Sequence, residues 1–295
     1  MKKRNVIPIW LLSTLTAALL LTSSATALAQ QPPGTGLGIP SVVNLRDVGG
    51  YITSNGSVVR RGVAYRSNQL NPVAPADIQK IAALGLKNDY DLRTAAEREA
   101  RPDQLPPGAK NVWINVWAHE EGPGPADMET LLADTQAANQ ALGNGSAAAM
   151  LKQRYREFVS SDTANNAYRK LFLELSNEKQ LPALFHCNNG KDRTGWATAA
   201  LLTLLGVPED QVFADYLRSN EYILPAYQRA IDRFVAAGGD PSIPRDLLSA
   251  KVEYLRAAFD QVRVQYGSIE QYFALALLID KGGQQKLRDR FLGTN

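Results

Sequence analysis

One stretch of the chain constrains the fold more than any other: a short apolar segment, a polar loop and a long apolar helix in direct succession. The run from Pro182 to Phe185 indicates a buried strand, and Cys187 to Asp192 forms the polar loop. The run from Arg193 to Leu205 is rich in Ala and Leu, as in a buried helix. A strand that feeds a helix through a short loop is typical of α/β proteins, so we expect a sheet covered by helices.

Hydrophobic periodicity and turn residues place the other elements around this unit. The predicted strands lie at 42–51, 58–65, 86–92 and 111–117, and the predicted helices at 74–84, 126–142, 147–160, 163–177, 208–219, 221–236, 245–264, 268–279 and 283–292. These elements predict a single α/β domain at 41–295. A Pro- and Gly-rich segment at 30–40 is expected to be a flexible lead-in, and 119–147 a surface insertion or lid.

The first 29 residues have the layout of a cleavable signal peptide. Three basic residues, at positions 2–4, precede an apolar run at 6–21, and Ala27-Leu28-Ala29 supplies the small side chains that signal peptidase requires. An uncleaved anchor is the alternative, but the run is shorter than the roughly 20 residues that span a bilayer. We therefore expect a periplasmic or secreted protein without a stable membrane anchor.

Charge argues against a nucleic-acid partner. The chain has 32 basic and 29 acidic residues, a formal net charge of +3. Three basic residues and no acidic ones lie in the leader, so the remainder carries equal numbers of each sign. Bulk charge then gives no reason to expect binding to nucleic acid or to an anionic membrane.

The chain has a single cysteine, Cys187, which excludes an intrachain disulfide and a multi-cysteine metal site. Backbone N–H groups of the loop and the N-terminus of the following helix form a cradle for an anion. These dipoles, with Lys191 and Arg193 nearby, favour the thiolate form of Cys187, which is a competent nucleophile. With only two histidines, His119 and His186, we expect no metal and no other cofactor.

Other residues of the loop have chemistry that suits a phosphate. The planar fork of Arg193 can hold two phosphate oxygens. Gly190 permits a tight turn, Thr194 can donate its hydroxyl to sulfur, and Asp192 can supply or remove a proton. A Walker loop is excluded because its glycine spacing is missing. A cysteine peptidase lacks an evident histidine base, and a rhodanese-like sulfurtransferase has one residue fewer before the arginine.

The run from His186 to Gly195, His-Cys-x5-Arg-Thr-Gly, resembles the signature of the protein tyrosine phosphatase family. Its version is similar to that of the atypical bacterial branch of secreted tyrosine and dual-specificity phosphatases, which also act on phosphoinositides. Further motifs of that branch are matched at 44–51, 65–67, 90–93, 215–220 and 266–268. The resemblance thus covers nearly the whole chain after the leader.

The resemblance implies a tyrosine phosphatase-like fold, with a mostly parallel central sheet flanked by helices and a helix-rich C-terminal half. It also implies hydrolysis of phosphate monoesters without metal, through a phosphocysteine on Cys187 that Arg193 and Thr194 stabilise. Phosphate is expected to contact Asn188, Asn189, Gly190 and Lys191. Phosphorylated proteins or phosphoinositides are the expected partners, and the protein is expected to be a monomer.

The general acid is left open between two carboxylates, because no Trp-Pro-Asp motif is present. Asp192 lies inside the loop, and Asp91 lies at the end of a predicted strand, where ligands of parallel sheets bind. Structural support of the site is expected from His186, Arg46, Asp47, Arg66 and Arg93. The alternative function is a catalytically silent protein that binds phosphate or inositol phosphates.

Overall fold

The structure, a computed structural model, describes residues 31–117 and 128–293. The predicted signal peptide at 1–29 and the histidine His119 lie outside the described residues. No helix within the described ranges is both long and apolar enough to cross a membrane.

A mostly parallel sheet lies at the centre of the domain, as the resemblance implies. Its strands are β1 (Arg46–Asp47), β3 (Ala64–Ser67), β4 (Asn88–Asp91), β5 (Lys110–Trp113) and β6 (Ala183–His186). The spatial order is β1-β3-β6-β4-β5; β1 is antiparallel to β3, and all the other neighbours are parallel. A separate antiparallel pair is formed by β2 (Val58–Val59) and β7 (Leu292–Gly293).

Helices cover both faces of the sheet and make up most of the second half of the chain. They are α1 (Pro75–Ala82), α2 (Ala95–Ala100), α3 (Met128–Ala133), α4 (Thr135–Leu142), α5 (Ser146–Ser160), α6 (Asp162–Ser176), α7 (Arg193–Leu204), α8 (Glu209–Leu217), α9 (Ser219–Ala236), α10 (Ser242–Leu248), α11 (Val252–Tyr266), α12 (Ile269–Leu275) and α13 (Lys281–Phe291). This composition confirms the α/β class and the helix-rich C-terminal half.

The central strand β6 contributes to two hydrophobic cores. Ala183 and Phe185 belong to the larger core, which the C-terminal helices complete. Leu184 points to the smaller core, together with Ile81 of α1 and Tyr65 of β3. Successive side chains of a strand face opposite sides of a sheet, so an uninterrupted apolar strand is what a sheet covered on both faces requires.

Two predicted elements are each divided into two. The run at 58–65 forms β2 and β3, because a turn at Gly62 separates them and its N–H donates to Asp47 at 2.8 Å. The predicted helix at 245–264 is α10 and α11. At the break, Asn220 exchanges two hydrogen bonds with Ala250, at 2.6 and 2.9 Å. A distant side chain thus satisfies the backbone that an unbroken helix would have paired.

The predicted lid helix at 126–142 is also divided, and its first two residues lie outside the described residues. Asp134 separates α3 from α4 and accepts a hydrogen bond from the N–H of Ala137 at 2.9 Å, as an N-cap does. Asn139 then ties α4 to the end of α9, with its amide bonded to the Gly238 carbonyl and the Asp240 N–H.

The segment expected to be a flexible lead-in contacts the domain where it is described. Leu37 N–H donates to the Leu45 carbonyl at 3.0 Å, and Gly36 N–H donates to the hydroxyl of Tyr222 at 2.8 Å. Ile39 is buried in the smaller core. The segment is therefore attached to the domain, beside α9 and against the smaller core.

Candidate active site

The active-site loop, residues 187–193, starts at the carboxyl end of the central strand. Ser67, His186 and Asp91 are register partners at the ends of β3, β6 and β4. Parallel α/β sheets bind their ligands at this edge. Cys187 is the first residue beyond it and is only 2% exposed. The sheet thus places the predicted nucleophile where a substrate is expected.

Gly190 lets the loop turn tightly against β3. Its φ of 64° lies in the left-handed region, and a Cβ at this position would overlap the carbonyl oxygen of Ser67. The Gly190 carbonyl in turn accepts hydrogen bonds from Arg66 Nη2 at 2.7 Å and Asn44 Nδ2 at 3.3 Å. These hydrogen bonds from Arg66 and Asn44 to the Gly190 carbonyl restrict the loop to one conformation.

A buried ion cluster supports the loop from beneath. The Asp215 carboxylate accepts from Arg46 at 2.8 Å, from Arg66 at 2.6 Å and from the Tyr51 hydroxyl at 2.9 Å. Burial raises the pKa of Asp215, but the two guanidinium groups lower it more, so the net shift is downward. Arg66 thus contacts the loop directly through the Gly190 carbonyl, and Arg46 is joined to it through Asp215.

Glu97 holds the side chain of Arg193. Its carboxylate contacts Arg193 Nη1 at 2.6 Å and Nη2 at 2.8 Å, a bidentate pair. Burial opposes both charges, but each partner offsets this, so the pKa of Glu97 is lowered and that of Arg193 is raised. Thr94 fixes Glu97 through a capping box at the start of α2. The arginine thus stays charged and has little freedom to move.

Nε is the one nitrogen of Arg193 that makes no hydrogen bond to Glu97. Among the described residues this atom is buried and has no hydrogen-bond partner. The guanidinium also stacks on the ring of Trp117, 4.3 Å from its centroid. The electrostatic effect of Cys187 is among the causes that raise the pKa of Arg193, so the sulfur and the guanidinium lie within electrostatic range. A phosphate on Cys187 could accept from this free N–H.

The two asparagines of the loop lie at the entrance of the site. Asn188 Nδ2 donates to Glu97 at 2.7 Å, which leaves its carbonyl oxygen Oδ1 buried without a partner among the described residues. Asn189 Oδ1 accepts from the Tyr227 hydroxyl at 2.8 Å, and its carbonyl accepts from Asn44 Nδ2 at 3.0 Å. Both side chains line the cleft described below.

Lys191 does not extend to a substrate, which corrects the prediction from sequence. Its ammonium is fully buried and lies 2.8 Å from the Leu247 carbonyl, 3.0 Å from the Ser249 carbonyl and 3.0 Å from Asp192 Oδ1. Three acceptors match the three N–H donors of a lysine. The side chain therefore ties the loop to the break between α10 and α11 and has no donor left for phosphate.

The two candidate acids occupy different environments. The Asp192 side chain is 15% exposed, and its Oδ1 accepts from the Tyr155 hydroxyl at 2.9 Å. Asp91 is fully buried, and its oxygens accept from Arg93 at 2.9 Å and from Arg98 at 2.8 Å. A closed ion cluster leaves no route for a proton to a substrate, so the geometry favours Asp192 and argues against Asp91 as the acid.

Thr194 also differs from its expected placement. Its Oγ1 is buried and makes no hydrogen bond to any described residue, so the expected bond to the sulfur is absent there. The Thr194 carbonyl accepts from the Thr198 hydroxyl at 2.9 Å, one turn further along α7.

His186, which is expected to support the site, directly precedes the nucleophile and is fully buried. Its Nδ1 is 3.2 Å from the Cys187 carbonyl, and its Nε2 is 3.3 Å from both Asp89 and Asp103. Burial lowers the pKa of His186, but the nearby carboxylates raise it well above its usual value. The Asp89, Asp103 and His186 ligand atoms are close enough for a cation. However, Arg93 already lies 2.6 Å from Asp103 and neutralises that carboxylate.

The remaining supporting residue, Asp47, acts away from the loop. Its carboxylate accepts from the N–H groups of Gly49 and Gly62 at 2.7 and 2.8 Å, which fixes the turns around β1. It therefore stabilises the edge of the sheet and does not touch the active-site loop through these bonds.

A cleft of about 370 Å³ opens beside the loop. Asn188 and Asn189 form its inner wall, and α9 contributes Ala226 and Arg233 to the opposite wall. The cleft thus borders the active-site loop at these two asparagines.

Three functional residues were missed from sequence, with different signals available. Glu97 follows Thr94 at capping-box spacing, directly after a strand that ends at the site, and could have been found. Trp117 and Tyr155 had no local signal, because their contacts with Arg193 and Asp192 join residues 76 and 37 positions apart. Only the tertiary structure brings them together.

Comparisons with known proteins agree with this geometry. Residues 37–293 match a family described as the tyrosine phosphatase family. A protein of Cupriavidus necator is 30% identical over 83% of this chain and 85% of its own length, and its name assigns it provisionally to the tyrosine-protein phosphatases. The triple specificity protein phosphatase PtpB of Mycobacterium tuberculosis is 28% identical, over 86% of this chain and 97% of that protein. A tyrosine-protein phosphatase of Nostoc commune is 28% identical over 54% of this chain and 48% of its own.

Proposed function

The chain belongs to the tyrosine phosphatase family, and we propose that it hydrolyses phosphotyrosine in proteins with Cys187 as the nucleophile. The observation that carries the proposal is the state of Arg193. Glu97 fixes this side chain through both terminal nitrogens while Nε remains buried without a partner among the described residues. Such a preorganised donor beside a loop cysteine suits the charge that develops on a phosphoryl group in transfer.

In the first step the Cys187 thiolate attacks phosphorus, a sulfur–phosphorus bond forms and the bond to the leaving oxygen breaks. Arg193 and the loop N–H groups stabilise the charge on the phosphoryl oxygens. In the second step a water attacks the phosphocysteine, inorganic phosphate leaves and the thiolate is regenerated.

Asp192 is the residue that we propose as general acid and base. It donates a proton to the leaving oxygen in the first step and accepts one from the attacking water in the second. Its partly exposed carboxylate, held at Oδ1 by Tyr155, supports this assignment. Both proton transfers of the reaction thus depend on one side chain inside the loop.

The test is turnover of p-nitrophenyl phosphate by the wild type and by the variants Cys187→Ser and Asp192→Asn. We expect no turnover for Cys187→Ser, and for Asp192→Asn a phosphocysteine detectable by mass after acid quenching. Turnover that survives in Cys187→Ser would exclude the mechanism. A wild type that binds phosphate without turning over any substrate would support the alternative of a silent phosphate-binding protein.

The range of substrates is proposed to extend beyond phosphotyrosine. The support is the relative named a triple specificity protein phosphatase, which matches this chain over most of both lengths. Assays with matched phosphotyrosine and phosphoserine peptides and with a soluble phosphoinositide test this extension. Activity on phosphotyrosine alone would refute it.

We also propose that the protein is exported. The support is the basic, apolar and small-residue order of residues 1–29. Expression of the full chain should give a processed protein that begins at Gln30 and fractionates outside the cytoplasm. An unprocessed cytoplasmic product would contradict export.

A further inference from the structure

The cleft beside the active-site loop has a positive wall that the phosphoryl chemistry does not use. Arg101 and Arg233 both line the cleft, and none of the described residues that line it is acidic. Arg233 is exposed on the last turn of α9 and forms no salt bridge with any other described residue. A negative group on a substrate would therefore be attracted to Arg233 in this cleft, apart from the position of Cys187.

Two buried acceptors also line the cleft and have no hydrogen-bond donor among the described residues. They are Oε1 of Gln69 and Oδ1 of Asn188. The amide nitrogen of each side chain fixes its orientation. Gln69 Nε2 donates to the Asn71 carbonyl at 3.0 Å, and Asn188 Nδ2 donates to Glu97 at 2.7 Å. Reversing either amide would place oxygen against oxygen. A buried acceptor without a donor is costly, so a ligand N–H would be favourable here.

Apolar side chains complete the cleft. Met128 and Leu132 of α3 line it, and Ala226 and Ala230 of α9 line it as well. Such surfaces suit the aromatic ring of a phosphotyrosine on its way to the loop. The cleft thus combines an apolar wall, two acceptors and a positive wall.

We propose that this cleft selects phosphotyrosine peptides with an acidic residue close to the phosphotyrosine. The peptide main chain donates to Gln69 and Asn188, and the acidic side chain pairs with Arg233. This inference rests on the proposed function. It adds a substrate preference to the phosphotyrosine hydrolysis proposed above.

The two acceptors favour a peptide over a phosphoinositide headgroup. The phosphate oxygens of such a headgroup accept hydrogen bonds at pH 7 and would be repelled by Gln69 Oε1 and Asn188 Oδ1, so only the free hydroxyls of its inositol ring can donate to them. A peptide main chain offers an N–H at nearly every residue and can serve both atoms. The positive wall alone would attract either ligand, so the larger supply of donors along a peptide main chain favours the peptide.

The experiment compares two phosphotyrosine peptides that differ only in Glu or Gln beside the phosphotyrosine. We expect the wild type to prefer the acidic peptide in kcat/KM by about five-fold, the size of an exposed ion pair. In Arg233→Gln this preference should fall to near one. Arg229→Gln removes an equal charge one turn earlier on the same helix, outside the cleft lining, and should keep the preference.

A second measurement needs no variant and tests the main-chain contacts. Peptides with one N-methylated residue next to the phosphotyrosine cannot donate at that position, and we expect a loss of about five-fold in kcat/KM at one or more positions. A soluble phosphoinositide assayed with the same proteins should be insensitive to the choice between Arg233→Gln and Arg229→Gln.

The inference is overturned if the wild type shows no acidic preference, if both arginine variants lose it equally, or if no N-methylation lowers kcat/KM. A loss in Arg233→Gln confined to the phosphoinositide would assign the positive wall to a lipid headgroup instead. Absence of activity on every phosphotyrosine substrate would refute the proposed function itself, which is a separate result.

Discussion

At the scale of single residues, Glu97 connects more of the site than any residue of the loop itself. Its carboxylate binds Arg193 through two hydrogen bonds, binds the Asn188 amide, and accepts from the N–H of Thr94 at 2.8 Å. One side chain thereby sets the position of the phosphate-binding arginine and of one wall of the cleft.

Replacement of Glu97 by Ala should leave the Arg193 charge buried and unpaired. Breaking a buried pair in this way costs about 3–5 kcal/mol of stability. We also expect kcat/KM to fall by about a hundred-fold, as for loss of a positioned donor. Urea unfolding and p-nitrophenyl phosphate kinetics measure the two effects. Glu99→Ala, an exposed neighbour on α2, is the control, and equal effects for both variants would contradict the assignment.

Tyr155 holds the proposed acid from behind. Its hydroxyl contacts Asp192 at 2.9 Å and the hydroxyl of Tyr216 at 2.8 Å, and both tyrosines are buried. Tyr155 is therefore a positioning residue, because it touches the acid and not the substrate.

In Tyr155→Phe the proton transfer to the leaving group should suffer more than the attack by sulfur. The loss in kcat should then be larger for an alkyl phosphate than for p-nitrophenyl phosphate, whose leaving group needs little help from an acid. Stability should fall by about 1–3 kcal/mol, because Tyr216 loses a buried partner. Tyr272→Phe removes a buried hydroxyl that does not contact Asp192 and serves as control. Equal losses on both substrates would argue against positioning.

At the scale of elements, the active-site loop depends on two neighbours that are remote in sequence. β3 lies directly against Gly190, and the break between α10 and α11 anchors the ammonium of Lys191. This break also divides the predicted helix at 245–264 into α10 and α11. The loop conformation and the irregular backbone at 249–251 therefore stabilise each other.

Gly190→Ala tests how tightly β3 confines the loop. The left-handed φ alone should cost about 1–2 kcal/mol, and the overlap with the Ser67 carbonyl should add to it and displace the loop. Gly85 has the same φ of 64° and open space around it, so Gly85→Ala carries the backbone cost alone. We expect kcat/KM to fall at least about ten-fold for Gly190→Ala only. Similar kinetics for the two variants would contradict tight confinement.

At the scale of the whole molecule, buried charge is concentrated around the carboxyl edge of the sheet. Asp215 pairs with Arg46 and Arg66, Glu97 with Arg193, and His186 lies against Asp89 and Asp103. These groups lie beneath or beside the loop and not at its mouth. The fold thus keeps a layer of buried ionic groups near the active-site loop, while Cys187 itself packs in the larger hydrophobic core.

This layer makes stability depend on pH from both sides. The raised pKa of His186 stabilises the fold fully below about pH 6.5, and this contribution is lost as the pH rises through the folded-state value. The lowered pKa values of Asp103, Glu97 and Asp215 stabilise the fold above about pH 4, and their contributions are lost as the pH falls through the folded-state values. These groups together should give a free energy of unfolding that peaks between about pH 4.5 and 6.5, and the pKa of Asp89, which burial raises, moves the peak toward the acid end of that range.

Urea denaturation at roughly even steps of pH from about 3 to 9 measures this profile. In Asp103→Asn the histidine loses one carboxylate and its folded-state pKa falls, so the decline on the alkaline side should be smaller and end at a lower pH. A free energy of unfolding that stays constant from about pH 6.5 to 9 would show that His186 is not held as the imidazolium.

Local patterns along the chain predicted part of the fold correctly. The apolar run before His186 and the apolar helix after Asp192 predicted a buried strand and a buried helix, because both faces of β6 are covered. The motifs that resemble the tyrosine phosphatase family also indicated Arg46 and Arg66, which lie under the loop. These predictions depended on neighbours along the chain, which a sequence displays.

The sequence by itself therefore determined the α/β class, the family and the loop with its cysteine and arginine. The tertiary structure alone decided that Glu97 fixes Arg193, that Lys191 faces α10 and not the substrate, and that Asp91 lies in a closed ion cluster. The physical reason is that a charged side chain takes its environment from whatever the fold places within a few ångströms. Those partners lie far away along the chain, so no spacing of residues reveals them.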